Sequence, residues 1–178
     1  MTSRERVYRT LNHQAVDRAP RELWALPGIP WFHADEFQQV MQAWPSDFGG
    51  PSVRYGTSLR AKGEPCQVGQ YTDEWGCGWE VGEPGVVGEV KHYPLAEWSS
   101  LDSYELPWEL LKEADFSTVN GSCAESELFM KAGTHTRPFE RMQFLRGTEN
   151  LLMDLAYGEK EVYQLRDRLH EFFCAEME

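Results

Sequence analysis

Cysteine is scarce in this chain and follows no pairing pattern. The four cysteines, Cys66, Cys77, Cys123 and Cys174, include no C-x-x-C pair. The opening MTSRERVYRTL mixes charge with apolar residues and contains no secretory h-region. This argues against a disulfide framework, and free thiols in a reducing, cytoplasmic compartment are expected. Positive charge is short as well, with 17 Lys and Arg against 29 Asp and Glu and a net charge of −12. Nucleic acid and anionic membrane surfaces need clustered cations, so neither is an expected partner. No run is long and apolar enough to span a bilayer. There is no internal repeat and no low-complexity tract. The chain has aromatic residues instead, 13% of the total with seven tryptophans. Burial therefore leans on large rings more than on Val and Ile.

The 178 residues suffice for one domain with a sizeable core. Thr2 and Glu5 have capping-box spacing, and Val7, Tyr8 and Leu11 fall on one face, which predicts a helix over Thr2 to His13. Arg21 to Leu26 reads as a first buried strand, broken by Pro27-Gly28-Ile29-Pro30. Asp35 to Trp44 reads as a second helix. From Asp47 the texture turns to glycine and aromatics. One strand is expected near Gln70 to Val81 and its antiparallel partner near Val86 to Tyr93, with Gly82 to Gly85 as the turn. Short helices follow over Glu97 to Tyr104 and from Pro107 to Ala114, whereas Asp115 to Ala124 is ambiguous. Phe129 to Gly133 resembles a short strand. Pro138 then opens a helix with Phe139, Met142 and Leu145 inward. Thr148 is placed to cap the next, whose stripe is Leu151, Leu152 and Leu155. Gly158 ends it, and the last helix carries Val162, Leu165, Leu169 and Phe172 or Phe173.

Strand-like and helical segments alternating from Phe129 onward are how a β/α enzyme is built. The expected class is α/β: an incomplete (β/α)8 TIM barrel with an N-terminal helical extension and an antiparallel β-hairpin insertion. Residues 1–178 read as a single partial domain, with 1–46 as extension and first strand, 47–106 as hairpin insertion and 107–178 as first β/α units.

Three segments in order, SRERVYRTLNHQAVDRAPRELW, YTDEWGCGWEV and FERMQFLRGTENLLMDLAYGEKEVYQLRDRL, resemble the uroporphyrinogen decarboxylase superfamily. The nearer branch is the decarboxylase-like proteins associated with corrinoid-dependent methyl transfer. The resemblance implies a barrel of about 250 residues or more, of which this chain matches the N-terminal half. The isolated chain is accordingly expected to be inactive or weakly active. Two departures matter. The haem-pathway enzymes carry Arg-x-Ala-Gly-Arg-Tyr, but here Arg21 stands alone in RELWALPG, which argues against porphyrinogen decarboxylation. The methyltransferase branch holds zinc through His-x-Cys and a later Cys, both in its C-terminal half, and this chain has no His-x-Cys. The implied partners are a small-molecule substrate and a corrinoid protein.

Asp73-Glu74-Trp75-Gly76-Cys77 is the most suggestive cluster. On a strand, Asp73 shares a face with Trp75, so Asp73 is the expected acid or base and Trp75 the platform for a flat ligand. A Thr72-Asp73 turn that fixes the hairpin backbone accounts for the same residues. His135 and Arg137 fall where a strand gives way to a helix, the position of barrel active sites. His135 is the second expected catalytic residue, while Arg137 and Arg21 are expected to bind a substrate carboxylate. Capping is the competing reading there. Glu140, Arg141, Arg146 and Glu149 read as an ion-pair face, with Arg146 held by a carboxylate. His170 and Cys174, at i and i+4, supply too few ligands for a metal, and no metal site is assigned. Two alternatives stand beside methyl transfer. One is a metal-independent decarboxylase of a small carboxylate or tetrapyrrole. The other is a non-catalytic chain that pairs with a second copy or with the rest of the barrel.

Overall fold

In the computed structural model, residues 1–134 and 136–178 are described, and they divide into two compact units. One unit comprises 1–54 and 115–133, the other 55–114 and 134–178. Each unit is built from two segments that are discontinuous in the sequence. The fold is mixed α/β, as expected in class. Its sheets are a two-stranded parallel pair and a three-stranded antiparallel meander, and neither closes into a barrel.

In the first unit, helix α1 (Ser3–Leu11) begins where the Thr2 hydroxyl accepts the Glu5 N–H at 3.1 Å. A Glu5–Arg9 ion pair at i,i+4 spacing runs along its surface. Helix α2 (Gly28–Phe32) occupies the segment expected to break the chain, and α3 (Ala34–Ala43) follows. Strand β1 (Phe48–Gly49) pairs in parallel with β5 (Phe129–Met130), and α5 (Val119–Glu125) precedes β5. Edge-to-face contacts of Phe129 with Phe48 and Tyr8, at 5.8 and 5.3 Å, pack α1 on this pair.

The buried strand expected over Arg21 to Leu26 does not form. The Arg21 N–H donates to the Asp47 carboxylate at 2.7 Å, and the Asp47 N–H donates to the Arg21 carbonyl at 2.8 Å. That closure engages both backbone groups of Arg21. Leu23, Trp24 and Leu26 are left exposed, Trp24 by 80%.

In the second unit, β2 (Gly69–Thr72), β3 (Gly78–Val81) and β4 (Glu89–His92) form the meander. The long strand expected near Gln70 to Val81 is two strands joined by a turn at Asp73 to Cys77, with Gly76 at φ 82°. A single 3₁₀ turn (Trp98–Ser100) and the short helix α4 (Glu109–Lys112) replace the longer helices expected there. Helices α6 (Pro138–Arg146), α7 (Thr148–Tyr157) and α8 (Lys160–Met177) complete the unit. Val162, Leu165, Leu169, Phe172 and Phe173 of α8 are all buried. Each contributes about 1.5–3 kcal/mol of burial. They pack with Met142, Leu145 and Leu151 and with the meander's Trp75, Cys77, Trp79 and Val90.

Three helix details differ from expectation. Phe139, Leu152 and Leu155 are exposed. Thr148 makes no capping bond, because Gly147 at φ 89° holds the cap position of α7. Asp154 is buried with Leu151, since its carboxylate meets the Arg146 guanidinium at 2.7 Å. Arg146 also donates to the Leu95 and Ala96 carbonyls. The expected pairing of Arg146 with a carboxylate is therefore observed. No helix among the described residues is long and apolar enough to cross a membrane.

Candidate functional site

Two constellations stand out, one in each unit. In the first, Asp47 is fully buried. It accepts from Arg6 at 2.5 Å, from Arg18 at 2.6 and 2.9 Å, and from the Arg21 N–H. Arg6 is itself buried and makes a bidentate pair with Asp17 at 2.7 and 2.8 Å. Burial alone would push the Asp47 carboxyl up, but the hydrogen bonds from Arg18, Ser3, Arg21 and Arg6 hold it well below the usual range. The Arg6 guanidinium does the same to Asp17. These bonds tie the N-terminal segment to Asp47 and fix its path. Arg21, expected to bind substrate, lies beside it with its guanidinium 4.4 Å from the Trp44 ring centroid.

The second constellation surrounds a cavity of about 330 Å³. Trp75, Phe172 and Phe173 form its aromatic wall, and Leu110 and Leu111 of α4 form an apolar side. Tyr55, Glu74, Arg141 and Glu176 bring the polar groups. Gly56 completes the lining beneath α4. A Cβ there would lie 2.4 Å from the Glu109 carbonyl oxygen, so the backbone can approach only as glycine.

Asp73 organises this region from the turn. One oxygen, Oδ1, accepts the N–H groups of Trp75 and Cys77 at 3.0 and 2.8 Å. The other, Oδ2, accepts the Trp79 indole N–H at 3.0 Å and the Arg141 guanidinium at 3.2 Å. The expected strand geometry, with Asp73 and Trp75 side by side facing a pocket, is replaced by this turn. Asp73 is a hub for four protein donors, and Glu74 is the carboxylate of the pair that lines the cavity. Arg141, expected on a solvated face, stacks 4.5 Å from the Trp75 ring centroid. Trp75 is buried, with Phe172 edge-on at 4.9 Å, and lines the cavity as expected.

At the other side of the cavity the Tyr55 hydroxyl donates to Glu176 Oε1 at 2.9 Å. The Thr136 hydroxyl donates to Glu176 Oε2 at 3.4 Å. Burial, and then the hydrogen bond to Glu176 and its charge, push the Tyr55 hydroxyl up to about 12, so it remains a donor at neutral pH. His135 lies outside the described residues. Arg137 is largely exposed and pairs with Glu140 at 3.2 Å, three residues along α6. It lines a different, more open depression that includes Lys91 and Phe144.

Of the expected site residues, then, the cavity lining contains Trp75, with Asp73 directly behind it. Arg21 and Arg137 fall in different units. Tyr55 and Glu176 went unread because neither sits in a motif and their partnership spans 121 residues. The last turn of α8 gave one signal, since Glu176 follows Phe172 at i+4 on its apolar stripe. His170 and Cys174 are in contact, with Nε2 and Sγ 3.6 Å apart. Among the described residues no three His, Cys, Asp or Glu side chains come together to hold a metal, so the zinc implied by the resemblance is assigned to none of them. No family model matches the chain, and neither a curated protein nor a solved structure matches it.

Proposed function

We propose that the chain is the N-terminal portion of a uroporphyrinogen decarboxylase-like barrel enzyme that takes part in methyl transfer involving a corrinoid. One observation carries this reading. The second and third of the segments that resemble the family fold against each other around one cavity, with Glu74 and Trp75 from the first of them and Arg141 from the other. The parallel pairing of β1 with β5 is also the arrangement that the start of a β/α barrel requires. At about 330 Å³ the cavity suits a small substrate rather than a whole corrinoid ring, which would approach from outside on a partner protein. The corrinoid supplies the methyl-carrying centre. This chain's residues bind and orient the small molecule: Trp75 and Phe173 wall it in, Arg141 braces the Trp75 ring, and Glu74 and Glu176 offer hydrogen-bond acceptors.

A calorimetric titration of the chain with methylcobalamin tests this. A saturable heat of binding is the expected outcome. No binding heat up to about 1 mM corrinoid, an affinity too weak to matter, removes the reading.

The exposed apolar side chains around α2 and α3, Trp24, Trp31, Phe32 and Trp44 among them, favour a second reading in which the chain associates with another chain. A concentration-dependent sedimentation coefficient is expected from it, and a strictly monomeric profile counts against it. Decarboxylation of a small carboxylate is less well supported, because the cavity's one described cation, Arg141, is engaged with Asp73.

A further inference from the structure

We propose that Asn120 is a site of spontaneous deamidation, at which the Gly121 nitrogen closes on the Asn120 side chain. The reaction needs neither the cavity nor a corrinoid. Asn120-Gly121 is the only Asn-Gly step in the sequence. Glycine suits the reaction because it carries no Cβ to obstruct its nitrogen. Both residues are exposed, and a Cβ added to Gly121 would meet no atom within 4 Å apart from its chain neighbours and its own helix backbone. They sit in the first turn of α5, where the N–H groups have no carbonyl of their own helix to bond. The Gly121 N–H reaches no carbonyl outside the helix among the described residues either, whereas the next N–H, of Ser122, is tied to the Thr118 carbonyl at 3.0 Å. The Asn120 side-chain amide also makes no hydrogen bond among the described residues. The other two asparagines differ on each count. Asn12 precedes His13 and Asn150 precedes Leu151, and their side-chain amides donate to the Tyr8 and Arg146 carbonyls at 2.8 and 3.4 Å.

A helical backbone keeps the Gly121 nitrogen away from the Asn120 Cγ, so the first turn must open before the ring can form. Helix α5 is built to open easily. It has seven residues, no side-chain cap and no buried residue, and Gly121 weakens it further. In the open form the Gly121 nitrogen gives up its proton to water and bonds to Asn120 Cγ. The bond from Cγ to the side-chain nitrogen breaks, and ammonia leaves. Water then adds to either carbonyl of the resulting five-membered imide. Opening on one side gives aspartate, and opening on the other gives isoaspartate, whose backbone is longer by a methylene. No reactant besides water is consumed.

Incubation of the full chain in mildly alkaline heavy-oxygen water, followed by peptide mapping in a mass spectrometer, tests the assignment. Asn120 is expected to convert while Asn12 and Asn150 stay intact, to take up heavy oxygen, and to yield isoaspartate as well as aspartate. Its rate in the folded chain is expected to lie within about tenfold of its rate in the urea-unfolded chain, because the first turn of α5 opens readily. Gly121→Ala fits the fold, since its Cβ has open space, and is expected to slow conversion by about tenfold or more. Circular dichroism of G121A checks that it is folded. Conversion of Asn12 or Asn150 ahead of Asn120 overturns the assignment. So does an unchanged rate in G121A, a product without isoaspartate, or a folded-chain rate that falls below that tenfold range.

Discussion

The Asp73 carboxylate and the Arg141 guanidinium meet at 3.2 Å across 68 residues of sequence, joining the turn between β2 and β3 to helix α6. Both side chains are mostly buried, Asp73 at 11% exposure and Arg141 at 20%. Removing one partner leaves the other desolvated and unpaired. Asp73→Ala is expected to cost about 3 kcal/mol of stability. Asp73→Asn keeps an acceptor for the backbone N–H groups and should cost less, about 1–2 kcal/mol. Urea denaturation followed by circular dichroism measures both. Midpoints equal to wild type would show that Asp73 does not hold the turn.

Acid should act on the first unit through Asp47. Its folded carboxyl ionises well below the usual range, so its contribution is fully present above an unfolded value of about 3.9. That contribution declines as pH falls below about 4 toward the depressed folded value. Asp17 titrates in the same direction. A pH series of thermal melts should therefore show an acid limb below about pH 4, and Asp47→Asn should be less stable at neutral pH and show a flatter limb. An equally steep limb in the variant would place the acid sensitivity elsewhere.

Gly56 allows α4 to approach the chain beside the cavity. Gly56→Ala puts a methyl group 2.4 Å from the Glu109 carbonyl and 2.7 Å from the Glu113 Cβ. Backbone must move, at a cost of about 1–3 kcal/mol. The same displacement shifts Leu110 and Leu111, which line the cavity, so ligand affinity should fall along with the melting temperature. A variant with wild-type melting and affinity would mean that α4 yields freely.

Thiol reactivity should divide the four cysteines. Burial pushes the Cys77 thiol far up, with the Asp73 charge adding to it, and the side chain has no solvent exposure. Cys66 is also buried, whereas Cys123 and Cys174 are partly exposed. An aromatic disulfide reagent should titrate two thiols quickly in the native protein and the remaining two only on unfolding. Mass spectrometry of the quickly labelled protein should find Cys123 and Cys174 modified. Early labelling at Cys77 would contradict the buried packing of the meander.

Regular helices were the most legible part of the chain. Apolar spacing located α8 and offered Phe172 or Phe173 for its stripe where both are buried, and Pro138 and Gly158 marked real boundaries. Reading failed where a polar group displaced the apolar pattern. In α7 the three leucines suggested a stripe, but Arg146, held between two carbonyls, draws Asp154 inward and turns Leu152 and Leu155 out. In RELWAL the β-like composition formed no strand, and the Asp47 carboxylate holds the N–H of its first residue, Arg21. The turn at Asp73 was legible as an alternative to a strand, and its Asp-Glu-Trp-Gly content is what such a turn uses. The cavity was legible only through Trp75. Besides Glu74, which adjoins Trp75 in sequence, its polar lining comes from Tyr55, Arg141 and Glu176, which no local pattern links.

The fully enclosed Asp47 carries a consequence for how the first unit assembles. Its two arginine partners lie 41 and 29 residues upstream, and without them an ion would be stranded in a dry interior. The opening helix and the loop after it are thus prerequisites for joining β1 to β5 rather than ornaments added later. Trimming the front of the polypeptide past Arg6 would leave that pair of strands without the counter-charge that lets it close.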